Sequence, residues 1–213
     1  MFYDVLLDSI KEKFTIYNSV DARECILKHS TKVAEMVYVF TEDLNLTAIQ
    51  KNELIKLSIF HDIGKFGIEP NELFKSNKLS PAERNIVKMH SEYGEAFSLS
   101  APSLGHLSSL IRHHHEEWDG NGYPDGLKGN EIPYQCRILA LADAFCAMTT
   151  DNCFRKAMDI EEVLKAISMN GGRQFDPQLS AKFIEFIKSR DYDPIKSYKM
   201  NLVAITDNPL HLQ

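Results

Sequence analysis

Residues 134–149 read Tyr134-Gln135-Cys136-Arg137-Ile138-Leu139-Ala140-Leu141-Ala142-Asp143-Ala144-Phe145-Cys146-Ala147-Met148-Thr149, a run apolar on most sides with one carboxylate beyond its middle. A helix that is apolar all round is one the fold buries, and an unpaired buried carboxylate is heavily penalised. Asp143 therefore requires a metal ion or a basic group brought to it from another part of the chain. Any fold built around this helix must deliver that group to one point.

Groups able to meet it recur along the chain. His113-His114-His115 stands before Glu116-Glu117-Trp118-Asp119-Gly120-Asn121-Gly122-Tyr123-Pro124-Asp125-Gly126, a segment too rich in Gly, Pro and Asp to be helix. Three imidazoles in a row gain nothing for packing, whereas a neutral ring nitrogen is a good metal donor near pH 7. His61-Asp62 is a second adjacent pair, with His29 and His90 as further candidates. Neighbouring residues diverge by about 100° on a helix, so His61 and Asp62 serve two ions, or one ion at a helix end. A carboxylate can bridge two metals through its two oxygens, and five His with two Asp form a natural donor set for a binuclear centre. Taken alone, His29 or His90 reads as a surface or hydrogen-bonded histidine; His106 and His113 are read as non-ligands.

Periodicity places these residues on helices. Apolar residues recur at three- and four-residue intervals over 5–17 and 22–40, including Ile26, Val33, Val37 and Phe40. Thr47 opens a helix that runs to His61-Asp62. Ser80-Pro81-Ala82-Glu83 has the form of a capping box with proline in the first turn, and the helix it starts is expected to carry His90. Another helix is expected from Pro102 to the histidine run. The loop from Glu116 to Pro133, with four glycines and two prolines, is long enough to be functional. Helices over Tyr134–Thr149, Ile160–Met169 and Gln178–Ile187 follow, with a short strand expected over Asn201–Thr206. No repeat or linker interrupts the 213 residues, which favours a single all-α domain.

A formal charge of −6 argues against a general DNA or RNA binder. Cys25, Cys136, Cys146 and Cys153 show no Cys-x-x-Cys spacing and read as reduced, buried thiols. No stretch approaches the roughly 20 apolar residues needed to span a bilayer, and Met1-Phe2-Tyr3-Asp4 lacks a basic leader. The expected location is the cytoplasm, away from the membrane.

In their order, His61-Asp62-Ile63-Gly64-Lys65, His90, His114-His115-Glu116 with Asp119-Gly120-Asn121-Gly122-Tyr123-Pro124, Arg137-Ile138-Leu139 leading to Asp143, and Gln174-Phe175-Asp176-Pro177 closely resemble the HD-GYP family, a branch of the HD metal-dependent phosphohydrolases. The resemblance covers roughly residues 22–188. It implies an HD-type helical bundle with a binuclear metal centre in its core and a Gly-Tyr-Pro loop. Residues 1–20 are then a helical lead-in, 21–190 the catalytic domain and 191–213 a C-terminal extension. The implied activity is hydrolysis of cyclic di-GMP to linear pGpG, GMP or both, through a metal-bridging hydroxide. One metal would take His29, His61, Asp62 and Asp143; the other His90, His114 and His115, with Asp62 bridging. Oxygen and nitrogen donors without thiolate suit iron or manganese. Lys65 would act at the phosphate or leaving group, Tyr123 on the nucleotide and Arg155 on a phosphate. Trp118 would either stack on guanine or pin the loop to the core.

The chain departs from that pattern at two places. Asn152 stands where the family carries an arginine, which opens the alternative of another cyclic dinucleotide, cyclic GMP-AMP. Some members hold a third metal with a glutamate one turn before the position of His29; here Cys25 occupies it and Glu24 is displaced by about 100°, so two ions are expected. A further alternative is a non-catalytic module that senses the messenger or docks a diguanylate cyclase through Gly122-Tyr123-Pro124.

Overall fold

The computed structural model describes residues 20–75, 79–151 and 156–190, with residues 20–23 described in backbone only. The helix expected over 5–17, the strand expected over 201–206, and Asn152, Cys153 and Arg155 lie outside the described residues. Among the described residues the regular structure is helical: α1 (Val20–Phe40), α2 (Ala48–Phe60), α3 (Pro70–Leu73), α4 (Pro81–Lys88), α5 (His90–Ser100), α6 (Ser108–Arg112), α7 (Tyr134–Thr149), α8 (Ile160–Met169) and α9 (Pro177–Ser189), with short 3₁₀ turns between them. A lone bridge between Gly171 and Phe175 is the one β-type pairing among these residues.

Local chemistry sets most of the helix ends. Thr47 and Ser80 each complete a capping box, with Gln50 and Glu83 respectively, and such caps stabilise a helix by roughly 1 kcal/mol. Asp159 and Asp176 cap α8 and α9. Two expectations need correction. His90 does not lie inside the helix begun at Ser80: that helix stops at Lys88, and His90 opens α5 after Met89. The helix expected from Pro102 is a turn and a 3₁₀ segment, Gly105–Leu107, before the five residues of α6. There the amides of Leu104 and Leu107 bond three residues back, to Ala101 and Leu104, so the chain winds too tightly for a continuous α-helix.

Helix α1 packs on α2 and α7, while α8 and α9 close on α7 from the other end. The core is aromatic at that end: Phe40 meets Phe183 edge to face at 4.9 Å between centroids, and Phe183 meets Phe145 at 5.5 Å. Val33, Val37, Leu54, Leu57, Leu139 and Leu141 are fully buried between the first three of these helices. Cys136 and Cys146 are buried as expected, but Cys25 is exposed, because it lies on the face of α1 that borders a cavity instead of on the core face.

One close approach governs where the histidines meet. The 3₁₀ turn Ile63–Gly67 lies against α5. A Cβ on Gly64 would stand 1.9 Å from the carbonyl oxygen of His90 and 2.4 Å from the amide nitrogen of Gly94. Only glycine permits this contact, which brings the Asp62 turn onto the first residue of α5.

Candidate metal centre

His61, His90 and His114 sit at helix ends and are oriented by the same device. Their Nδ1 atoms lie 2.8, 2.7 and 2.6 Å from the carbonyl oxygens of Ser58, Val87 and Ile111, each three residues back. A ring nitrogen facing a carbonyl donates its N–H, which leaves Nε2 as the bare acceptor and fixes the direction of its lone pair. All three Nε2 atoms converge on Asp62.

That convergence is unfavourable without a cation. The Nε2 atoms of His90 and His114 are 3.2 Å apart, yet neither carries a proton to share once both Nδ1 atoms donate. Burial holds the His114 imidazole well below its ordinary pKa, with His115 and His90 adding to the effect. Burial also lowers His90, and burial followed by His90 pushes His115 down to about 3. The rings are thus neutral donors with lone pairs facing one another.

Asp62 lies between two such groups. Its Oδ1 is 3.5 Å from His90 Nε2 and 3.9 Å from His114 Nε2; its Oδ2 is 3.4 Å from His61 Nε2 and 2.6 Å from Lys65 Nζ. Oδ1 of Asp62 and Nε2 of His61 are buried and make no hydrogen bond among the described residues. On the far side, His29 Nε2 is 2.7 Å from Asp143 Oδ1, which is 4.0 Å from His61 Nε2. Burial alone would raise the Asp143 pKa, but the His29 hydrogen bond and the neighbouring His61 hold it below the usual carboxylate range. His29 is therefore the basic group that Asp143 requires.

Two sets of donors result, Asp62 with His90, His114 and His115, and His29 with His61 and Asp143, each with ligand atoms within 4.8 Å of one another. Every sequence-derived metal candidate falls in one of these sets. The donor chemistry fits divalent cations: imidazoles, two carboxylates, and buried polar atoms without a hydrogen-bond partner. Glu24 is paired with Lys28 at 2.6 Å. His106 is exposed, and His113 bonds Asp125 Oδ2 at 2.7 Å. A third group, His113, Glu116 and Asp125, is already satisfied within the protein: Arg112 pairs bidentately with Asp125, and Glu116 caps backbone amides.

A cavity of about 530 Å³ opens beside the second set, lined by His29, Lys32, Asp62, Lys65, Asp143 and Thr150 among others. Burial opposes the charge on Lys65, but Asp62 outweighs it and raises the ammonium pKa, so Lys65 stays cationic at the cavity wall.

The loop beyond the histidines is held by groups that sequence reasoning did not single out. Glu116 Oε1 accepts from the amides of Asp125 (2.8 Å) and Gly126 (3.1 Å), and Oε2 from that of Leu127 (3.0 Å). Hydrogen bonds to a charged group contribute roughly 1.5–3 kcal/mol each, so this buried carboxylate organises the turn after Pro124. At Gly122 a Cβ would stand 2.2 Å from the Glu117 amide nitrogen, so the loop folds back on itself only with glycine there. The Tyr123–Pro124 peptide is cis. The Tyr123 ring lies 4.9 Å from that of His115, with Lys88 Nζ 4.8 Å from its centroid. Burial, then Asp62 and Asp143, push its phenol far above its ordinary pKa, which keeps it a neutral O–H. The loop is held through the Trp118 main chain, whose amide bonds the Gln174 carbonyl and whose carbonyl accepts from Gly129, while the Arg137 guanidinium lies 5.7 Å from the indole ring. Arg137 in turn bonds Asp176 Oδ2 at 3.0 Å, fastening the loop to the start of α9. Only the clustering of Glu, Arg and Asp around a Gly-rich loop signalled this in the sequence; their partners did not show.

Comparison with known proteins gives the following. The sequence pattern of the HD domain matches residues 16–179. A cyclic di-GMP phosphodiesterase of Thermotoga maritima is 32% identical over 163 residues, covering 76% of this chain and 44% of that protein. A 3′3′-cGAMP-specific phosphodiesterase of Vibrio cholerae is 33% identical over 179 residues, covering 81% of this chain and 34% of that protein. The chain thus spans less than half the length of these relatives. Among solved structures, an HD-GYP-type protein of Bdellovibrio bacteriovorus superposes with a TM-score of 0.61 at 19% identity, over 76% of this chain and 52% of that one, a likeness of fold alone.

Proposed function

The chain belongs to the HD-domain family, with the motif order of its HD-GYP branch, and from that premise we propose that it is a metal-dependent phosphodiesterase that hydrolyses cyclic di-GMP to linear pGpG, GMP or both. The observation that carries this reading is the pair of neutral Nε2 atoms of His90 and His114, 3.2 Å apart beside the unpartnered Oδ1 of Asp62. Such an arrangement is stable around a cation and unfavourable without one.

We take residues 21–190 as the catalytic unit. His29, His61, Asp62 and Asp143 would hold one divalent ion and His90, His114 and His115 the other, with Asp62 shared. Iron or manganese suits this oxygen and nitrogen set. Divalent ions held by these residues would supply water of lowered pKa and would offset charge on the phosphoryl oxygens. The protein's own groups do the rest. Asp62 presents one oxygen to each set, which fixes their separation. Lys65, kept protonated by Asp62, directs a positive charge toward the phosphate or the departing ribose oxygen as the P–O bond breaks. Tyr123, a neutral O–H held against His115, borders the nucleotide. Asn152 and Arg155 are assigned to the substrate phosphates by their place in the sequence. The Gly122-Tyr123-Pro124 loop is the surface we assign to a diguanylate cyclase, and action on an internal messenger would place the chain in the cytoplasm. No helix among the described residues is long and apolar enough to cross a membrane.

The test is turnover of cyclic di-GMP after anaerobic reconstitution with Fe(II) or Mn(II), with Asp62→Ala as control. Linear product from the wild type and none from the variant is expected; full activity in Asp62→Ala rejects the bridging role. Asn152 and the resemblance to a cGAMP-specific enzyme support a second reading, in which cyclic GMP-AMP is preferred. Cleavage of the mixed dinucleotide alone would favour it. Binding of cyclic di-GMP by metal-replete protein without product over hours would favour a sensor module instead.

A further inference from the structure

Three lysines line the cavity beside the metal centre: Lys28, Lys32 and Lys65. Two of them already sit in ion pairs. Lys65 Nζ is 2.6 Å from Asp62 Oδ2, and Lys28 Nζ is 2.6 Å from Glu24 Oε1. Lys32 differs. Its Nζ contacts a neutral hydroxyl, Thr150 Oγ1, at 3.3 Å, and no carboxylate lies within ion-pair distance of it among the described residues.

Its position is set by helix geometry. Residues three or four apart on a helix share a face, so Cys25, His29 and Lys32 form one stripe of α1, the stripe that borders the cavity. His29 stands at the metal centre, and Lys32 follows it by nearly one turn. An ammonium there is displaced along the cavity from Lys65, beside which the functional reading seats the reacting phosphate. The α1 backbone at Lys32 is also tied to α7, since Cys146 Sγ donates to the Lys32 carbonyl at 3.6 Å. The stem therefore starts from a fixed point, while the exposed head can leave its weak hydroxyl contact.

We propose that Lys32 forms a second anion subsite, which binds the phosphate of the cyclic dinucleotide that is not being cleaved. This rests on the functional reading above. A cyclic dinucleotide carries two phosphodiesters in one small ring, so seating one at the metal centre obliges the cavity to receive the other. A cation with no carboxylate within ion-pair distance among the described residues, on the wall next to that centre, is the group suited to it, because exchanging a neutral hydroxyl for a phosphate oxygen gains a charge-assisted hydrogen bond.

The test compares Lys32→Gln, Lys32→Arg and Lys28→Gln in metal-replete protein, reading kcat and KM for cyclic di-GMP together with equilibrium binding of the same dinucleotide. Lys32→Gln is expected to raise KM and weaken binding by about 10- to 100-fold, with kcat within about twofold, since such contacts act on binding and not on the reacting atoms. Lys32→Arg should restore most of the affinity, and Lys28→Gln should change little. For the linear dinucleotide GpG, which has a single phosphate, Lys32→Gln should leave affinity unchanged. Unaltered KM and binding in Lys32→Gln would overturn the proposal, as would a fall in kcat alone or an equal loss with GpG. Wild-type protein that neither cleaves nor binds a cyclic dinucleotide is a separate failure, that of the functional reading itself.

Discussion

On the inner side of the candidate metal centre, His61, His90 and His114 each lean on the carbonyl three residues back in the chain and are only 1% exposed, as Asp62 is only 2%. On the cavity side His29 and Asp143 hold each other across 114 residues of sequence and remain 25% and 21% exposed. The inner donors are aimed as soon as their helix ends form, because the brace is local. The outer donors are aimed only when α1 docks on α7. The first arrangement keeps its groups fixed and buried, and the second leaves its groups open to the cavity and to solvent.

The largest expected effect comes from the residue both sides share. Asp62→Ala should reduce turnover by more than the roughly 10- to 100-fold typical of outer-shell changes and remove both ions, as read by elemental analysis. Retention of one ion would break the symmetry assigned to Asp62. Next in size, His114→Ala and His29→Ala should diverge. The inner variant should lose metal and also unfold at lower temperature, because it opens a buried polar cavity; the outer one should lose metal with little change in unfolding temperature. Equal thermal shifts would contradict the distinction between braced and docked donors.

Glu116→Gln sharpens the comparison at the loop. An amide NH₂ in place of one carboxylate oxygen would face backbone N–H groups, and breaking one to two charged hydrogen bonds costs about 1.5–3 kcal/mol each. Faster amide exchange over 122–128 and a raised KM are expected, with the metals retained. A smaller effect follows acidification. Asp125 is held well below its ordinary pKa by the Arg112 hydrogen bond and then by His113. A depressed carboxylate stabilises the folded state above its unfolded pKa, about 3.9, and that contribution is lost as pH falls through the folded value. Exposure of this pair keeps the effect modest. Proteolysis of the loop should rise below about pH 4 in the wild type, and Asp125→Asn should show the same susceptibility at neutral pH. The smallest effect is Thr47→Ala, which should cost about 1 kcal/mol in denaturant unfolding and leave turnover unaltered.

Much of this was legible in the chain. The span Tyr134–Thr149 is helical with the bounds its apolar run implied, and the Thr47 and Ser80 caps formed as their side chains required. These are interactions within a few residues, which sequence encodes directly. The break at Met89 and the 3₁₀ winding before α6 were not legible, since periodicity continues across both while tertiary packing does not. Glu116 and Arg137 were visible as motif residues but their roles were not, because their partners, the amides of 125–127 and the Asp176 carboxylate, come near only after the loop has closed on α9.

By itself the sequence determined what kinds of group had to meet: an acid in an apolar helix, adjacent imidazoles before a Gly-rich loop, and a His-Asp pair at the end of a helix. Donor chemistry belongs to side chains and is carried by the residues wherever they go. Tertiary structure alone decided which oxygen of Asp62 faces which imidazole, that His29 answers Asp143, and that Lys32 borders the cavity with no carboxylate within ion-pair distance among the described residues. Those outcomes depend on the packing of α1 against α7 and of the Asp62 turn against α5, contacts between distant segments whose geometry no local pattern specifies.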